Sequence, residues 1–187
     1  MEKIAEANSV KRIALIGPES TGKSWLCEKL AEHYKTVWVP EYARTFMENL
    51  SRAYTYDDVV HCAEEQIRLE DAALKTAKHF LFCDTELINF KIWFEDKFKK
   101  VPGWLEEEIT KRKYDLYLLT APDLPWIAER VRENPERRKY FFDLYLQELE
   151  KRNFAFKIIT GEGVARLALA ESVIDKFFYQ LHIRHLS

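Results

Sequence analysis

Gly17-Pro-Glu-Ser-Thr-Gly-Lys-Ser24 constrains this chain more than any other stretch, because it spells G-x-x-x-x-G-K-[ST] between a strand-like and a helix-like segment. Val10–Ile16 ends in an apolar run suited to a buried parallel strand. Trp25, Leu26, Lys29, Leu30 and His33 then recur at helical spacing. A turn of this kind aims backbone N–H groups at an anion, and the following helix adds its positive end. Gly17, Pro18, Glu19, Ser20, Thr21, Gly22, Lys23, Ser24 and Trp25 are the residues expected to cradle ATP. Lys23 would reach the β- and γ-phosphates, and the Ser24 hydroxyl would ligate the accompanying Mg²⁺.

The remaining chain alternates strand and helix patterns, the grammar of an α/β sheet. Thr36–Val39 reads as a second strand stopped by Pro40, and Tyr56–Lys78 as a long amphipathic helix. Phe80–Cys83, Tyr114–Thr120 and Phe156–Ile159 complete five strands, and a last helix begins near Val164. Only five glycines occur, and Gly17, Gly22, Gly161 and Gly163 fall just after the first and fifth strands. Ligands bind at the C-terminal edge of an open parallel sheet. Gly17, Glu41, Asp84, Asp123 and Gly161 are therefore expected around one cleft, with Gly161 and Gly163 bordering adenine through backbone groups.

Two carboxylates follow strand ends. Asp84 is placed to hold Mg²⁺ opposite Ser24, or else to cap a helix starting at Glu86, a role open also to Thr85. Glu41 would take a proton from an incoming hydroxyl or anchor sugar hydroxyls, or else serve as a first-turn helix acid, with Arg44 one turn later. From Asp123 to Tyr140 the chain carries Arg130, Arg132, Arg137 and Arg138 around Pro135. This block reads as a mobile lid whose arginines, Arg130 and Arg132 foremost, neutralise charge on a transferred phosphoryl group; the plainer reading is a solvated charged helix face. Tyr42, Phe90, Trp93, Phe94 and Trp126 are candidates to stack on a planar ring, or else core residues.

Composition narrows the partners. The chain has 187 residues, 47% of them hydrophobic, enough for one core and one expected domain spanning 1–187. With 29 Lys+Arg against 31 Asp+Glu, the net charge of −2 gives no global attraction to nucleic acid or an anionic membrane. Cys27, Cys62 and Cys83 form no C-x-x-C pair, as in a reducing compartment. Residues 1–9 lack an apolar signal core, so a soluble cytoplasmic protein is expected. The oligomeric state is left open.

The phosphate loop, Val39-Pro-Glu-Tyr-Ala-Arg44, the segment from Cys83-Asp-Thr-Glu-Leu87 to Trp93, and Tyr114–Leu119 with Pro122-Asp-Leu-Pro-Trp126 together resemble the ribosylnicotinamide kinase domain of the NadR family. The resemblance covers roughly residues 10–178. It implies a P-loop NTPase fold, a three-layer αβα sandwich around a five-stranded parallel sheet of order 2-3-1-4-5, with a helical lid. It also implies ATP- and Mg²⁺-dependent phosphorylation of the ribose 5′-hydroxyl of nicotinamide riboside (NR), giving nicotinamide mononucleotide. Lys23, Glu41, Asp84, Arg130 and Arg132 form the expected catalytic set, and Ser24 and Asp84 the metal ligands. Glu41, Tyr42, Arg44, Asp84 and Thr85 are expected on the acceptor, joined by Asn89, Trp93, Asp123 and Trp126. About nine residues precede the first strand, so the nucleotidyltransferase domain of bifunctional family members is not expected ahead of it. Kinases for other nucleosides or small alcohols keep the same phosphate site. A nucleotide-dependent regulator or ATPase switch without an acceptor is the reading from a different class.

Overall fold

Alternation along β1 (Lys11–Ile16) organises the molecule: Ile13 and Leu15 point to one side of the sheet, Ala14 and Ile16 to the other, and all four are fully buried. A strand buried on both faces needs helices on both. The computed structural model, which describes residues 10–130 and 132–184, supplies them. One core joins Ile13 and Leu15 to Leu26, Cys27 and Leu30 of α1 (Lys23–His33) and to Ala170 and Ile174 of α7 (Gly163–Arg184). The other joins Ala14 and Ile16 to α2 (Tyr42–Asn49), α3 (Tyr56–Leu74), α4 (Leu87–Trp93), α5 (Leu105–Lys111) and α6 (Arg138–Lys151).

The sheet is parallel, in the order β2-β3-β1-β4-β5, where β2 is Val37–Val39, β3 Phe80–Asp84, β4 Leu116–Thr120 and β5 Phe156–Ile159. This is the three-layer P-loop kinase architecture. Its register sets Leu15 beside Asp84 and Ile16 beside Leu119, so the ends of β3 and β4 flank the start of the phosphate loop.

Three expected boundaries shift by two residues or more. β4 begins two residues later than the pattern indicates, because Asp115 uses its carboxylate to accept the Arg12 N–H at 2.8 Å and Tyr114 turns its hydroxyl to the buried Glu70 at 2.6 Å. α3 ends at Leu74 rather than Lys78, where Thr76 and Ala77 both donate backbone N–H to the Ala73 carbonyl and close a turn. The lid is largely non-helical: among the described residues, helix starts only at Pro135, because Pro122 and Pro125 interrupt the preceding stretch. A π-helical turn at Phe94–Phe98 follows α4 directly. Among the described residues, no helix is long and apolar enough to cross a membrane.

Candidate active site

Gly17 opens the phosphate loop at φ +139°, and a Cβ there would lie 2.5 Å from Thr120 Oγ1. The loop therefore starts in contact with the end of β4, which only glycine permits. Thr21 Oγ1 donates to the Pro18 carbonyl at 2.9 Å and shares a 2.7 Å hydrogen bond with Thr120 Oγ1, tightening the curl. Gly22 caps α1 in the left-handed conformation without a side chain, and the first turn of α1 holds no acid. The helix N-terminus is thus open to an anion. Lys23 Nζ folds over the loop, donating to the Gly17 and Pro18 carbonyls at 2.9 and 2.8 Å.

Asp84 ends β3 with 1% exposure, and its Oδ1 has no hydrogen-bond partner. Burial pushes its carboxyl well above the usual range and the nearby Glu41 charge adds to this, while Lys23 and a hydrogen bond from Ser24 pull it back. A capping role is excluded: α4 starts at Leu87, and the Glu86 side chain accepts the Ile88 N–H at 2.9 Å. Thr85 does not cap it either. It is fully buried at φ +75° with its hydroxyl unpartnered, a strained backbone beside the carboxylate. An orphaned buried carboxylate oxygen next to a serine hydroxyl suits a hard divalent cation whose remaining ligands are phosphate oxygens and water, so Ser24 and Asp84 fit Mg²⁺.

Glu41 stands at the N-cap position of α2 yet its side chain accepts no capping hydrogen bond. Gln66, fully buried on α3, holds the corner instead, accepting the Tyr42 N–H at 3.0 Å and donating to the Pro40 carbonyl at 3.4 Å. The Glu41 carboxylate is left to face a cavity of about 200 Å³, with Arg44 Nε 3.7 Å away. The cavity runs from Gly17, Pro18 and Lys23 past Glu41 and Arg44 to Asn89 and Trp93 of α4. Arg132, Arg137 and Tyr145 close it from the lid and α6.

Several expected site residues lie elsewhere. Tyr42 points along the outside of α2, stacked on Phe46 and hydrogen-bonded to His61 at 3.2 Å. Phe90 and Phe94 are fully buried core. Trp126 packs under Arg138 rather than in the cavity, and Trp25 is 39% exposed on α1. Asp123 does not reach the acceptor side: it accepts the Gly161 N–H at 2.7 Å and pairs with Arg166. The five positions expected around one cleft therefore divide, with Asp123 and Gly161 forming a separate edge beside β5. Both backbone polar groups of Gly161 are engaged there, since its carbonyl accepts from Arg166 Nε at 2.6 Å.

The lid lies across the loop and is tied to it. Ser20 Oγ accepts the Ile127 N–H at 2.9 Å, and Glu19 accepts the N–H groups of Glu133 and Asn134 at 3.2 and 3.1 Å. Arg132 turns into the cavity, paired with Glu129 at 2.7 Å, and its burial holds the guanidinium below its ordinary pKa. Arg130 turns out, donating to the Glu48 and Leu50 carbonyls at 3.0 and 2.5 Å. Arg137, not placed in the catalytic set from sequence, does face the cavity, gripped by Asp96 of the π-helical turn at 2.5 Å. Arg166 is not among the residues expected at the site. It is 1% exposed and links the Thr21 and Ala121 carbonyls, at 3.1 and 3.2 Å, to Asp123. Its one sequence signal is an arginine interrupting the apolar start of α7.

A family model for the AAA domain matches residues 12–166, from β1 to the first turn of α7. The chain belongs to that family. Within the AAA domain, the chain is homologous to the trifunctional NAD biosynthesis/regulator protein NadR of Escherichia coli K12, with 29% identity over 159 residues. That alignment takes in 82% of this chain and 39% of the NadR protein, so the chain spans well under half the length of this relative. A NadR crystal structure in complex with NR superposes with a TM-score of 0.80 at 21% identity, over 90% of this chain and 52% of that one. Another, with NAD and AMP-PNP, gives 0.75 at 20% identity, over 90% and 49%. At these identities the likeness is one of fold.

Proposed function

We propose that this AAA-domain chain is an ATP-dependent kinase for the 5′-hydroxyl of NR, producing nicotinamide mononucleotide and ADP. The observation that carries the reading is the buried carboxylate of Asp84, one of its oxygens unpartnered, beside Ser24 and Lys23, with Glu41 facing a cavity that continues to Asn89 and Trp93. A hydrolytic switch needs the phosphate loop and the cation ligands; it has no use for a cavity beside them with room for an acceptor. The NadR relative and the NR-bound NadR structure support NR as the acceptor. The three cysteines are free and buried, in keeping with a reducing cytoplasmic setting.

In this reading the loop amides and Lys23 bind the β- and γ-phosphates, and Ser24 and Asp84 hold Mg²⁺, which when bound neutralises developing phosphate charge. Glu41 or Asp84 orients the 5′-hydroxyl and accepts its proton. That oxygen bonds to the γ-phosphorus as the bond to the β,γ-bridging oxygen breaks and ADP departs. Arg132 faces the transferred group, and the lid keeps water from competing.

The test is ADP formation from MgATP with and without NR, with mass spectrometry of the product and a parallel panel of ordinary nucleosides. A phosphorylated NR formed efficiently is the expected result; stimulation by a different nucleoside alone refutes the acceptor, and no stimulation at all refutes the kinase. Lys23→Ala should nearly abolish transfer while leaving the melting temperature close to that of the native chain.

A further inference from the structure

α4 is short, and Leu87, Ile88, Phe90, Lys91 and Ile92 are all buried in it. The two remaining residues, Asn89 and Trp93, sit one turn apart on one face, and both line the cavity. Each is held by a tyrosine from another part of the fold. Trp93 Nε1 donates to the Tyr54 hydroxyl at 3.2 Å, and the Tyr145 hydroxyl of α6 donates to Asn89 Oδ1. Tyr145 is itself 4% exposed and lines the same cavity.

A side-chain amide carries one acceptor end and one donor end, and its direction is set by whichever partner is fixed. Here the fixed partner is a buried phenol that burial, reinforced by the charge of Glu41, keeps protonated far above its usual range. It stays a donor. Asn89 Oδ1 is thereby committed to Tyr145, and Asn89 Nδ2, which makes no hydrogen bond among the described residues, is the end left to the cavity. Glu41, whose charge acts on Tyr145, lines the same cavity and is a carboxylate that can receive a ligand hydroxyl proton. An amide donor opposite a carboxylate acceptor is the pair that recognises a group able both to accept and to donate, such as a hydroxyl or a primary amide.

We infer that Tyr145 is a positioning residue for the acceptor: through its hydrogen bond it locks Asn89 with the amide nitrogen toward the cavity, where that nitrogen donates to an oxygen of the bound nucleoside. This rests on the kinase reading above. Among the described residues the hydroxyl of Tyr145 bonds to Asn89 and to no residue of the phosphate loop, so its loss acts on acceptor binding rather than on ATP.

The experiment is a double-mutant cycle on acceptor KM, with ATP KM, kcat and melting temperature measured for each variant. Tyr145→Phe keeps the ring and removes the bond; it raises acceptor KM about three- to tenfold, the effect of one net hydrogen bond, with ATP KM unchanged. Asn89→Ala raises it similarly, and adding Tyr145→Phe to Asn89→Ala adds less than about twofold. Asn89→Asp retains an oxygen for Tyr145 but replaces the donor by a carboxylate, and raises acceptor KM at least as much as Asn89→Ala. Additive effects of Tyr145→Phe in both backgrounds, an equal change in ATP KM, or Asn89→Asp with native acceptor KM each overturn the inference. The unmutated chain is assayed first with NR and the nucleoside panel. If no acceptor is phosphorylated, the kinase reading falls and takes this inference with it; if one is phosphorylated and the cycle is additive, this inference alone falls.

Discussion

Gly17→Ala is the most demanding single perturbation of the phosphate loop, because the new methyl would meet two atoms that cannot retreat. A Cβ at residue 17 lies 2.5 Å from Thr120 Oγ1 and 2.7 Å from the Thr120 carbonyl oxygen. Thr120 Oγ1 is fixed by its hydrogen bond to Thr21 Oγ1 at 2.7 Å, and the Thr120 backbone sits in the β4–β5 ladder. Holding alanine at φ +139° contributes a backbone penalty of about 1–3 kcal/mol. Overpacking against β4 contributes about 1–3 kcal/mol more. The sum, about 2–6 kcal/mol, corresponds to a fall in melting temperature of roughly 5–20 °C for a chain of this size. Relief comes only if loop and β4 move apart, which displaces Lys23, bonded to the Gly17 carbonyl, and raises ATP KM about tenfold or more. Thermal unfolding and ATP kinetics read both effects. Adding Thr120→Ala restores only part of the loss, since the clash with the backbone oxygen persists, and Gly103→Ala, with no atom within 4 Å of the added methyl, serves as the neutral control. A Gly17→Ala chain that melts within about 2 °C of the native one with native ATP KM refutes the close loop–β4 contact.

Two further predictions concern the lid and the buried acids. Arg132→Ala lowers kcat about tenfold or more, whereas Arg130→Ala, which removes only a tie to the end of α2, leaves it within about twofold; the reverse order in steady-state assays refutes the assignment. Glu86 is fully buried, and burial raises its carboxyl to about 8 from an ordinary 4.5. The folded chain thus holds a proton that the unfolded chain releases near 4.5, so the contribution of Glu86 to stability is fully present below that pH and is lost as pH rises toward 8. At about 1.4 kcal/mol per unit, the loss across the window is several kcal/mol. Glu86→Gln keeps an acceptor for the Ile88 N–H and should flatten this slope in denaturant titrations at pH 5 and pH 8; an unchanged slope refutes it.

The sequence by itself determined the phosphate loop, the alternation of strands and helices and the placement of Asp84 at a strand end. Each is local: G-x-x-x-x-G-K-S needs only its own backbone to form an anion nest, and an apolar run ending in a carboxylate is visible within five residues. The sheet order followed from the family resemblance and agrees with the observed pairing. What the tertiary structure alone decided is which side chains share the cavity. Tyr42 and Arg44 are two residues apart on α2, yet only Arg44 faces inward, because Gln66 from α3 sets the rotation of that helix. Arg130 and Arg132 are equally charged neighbours separated by where the lid backbone meets α2 and the loop. Arg166 and Tyr145 acquire their roles from partners as far as 145 and 56 residues away in the chain. A local pattern shapes the backbone of the phosphate loop, whereas the cavity beside it is lined by side chains from α1, α2, α4 and α6 whose orientation only packing sets.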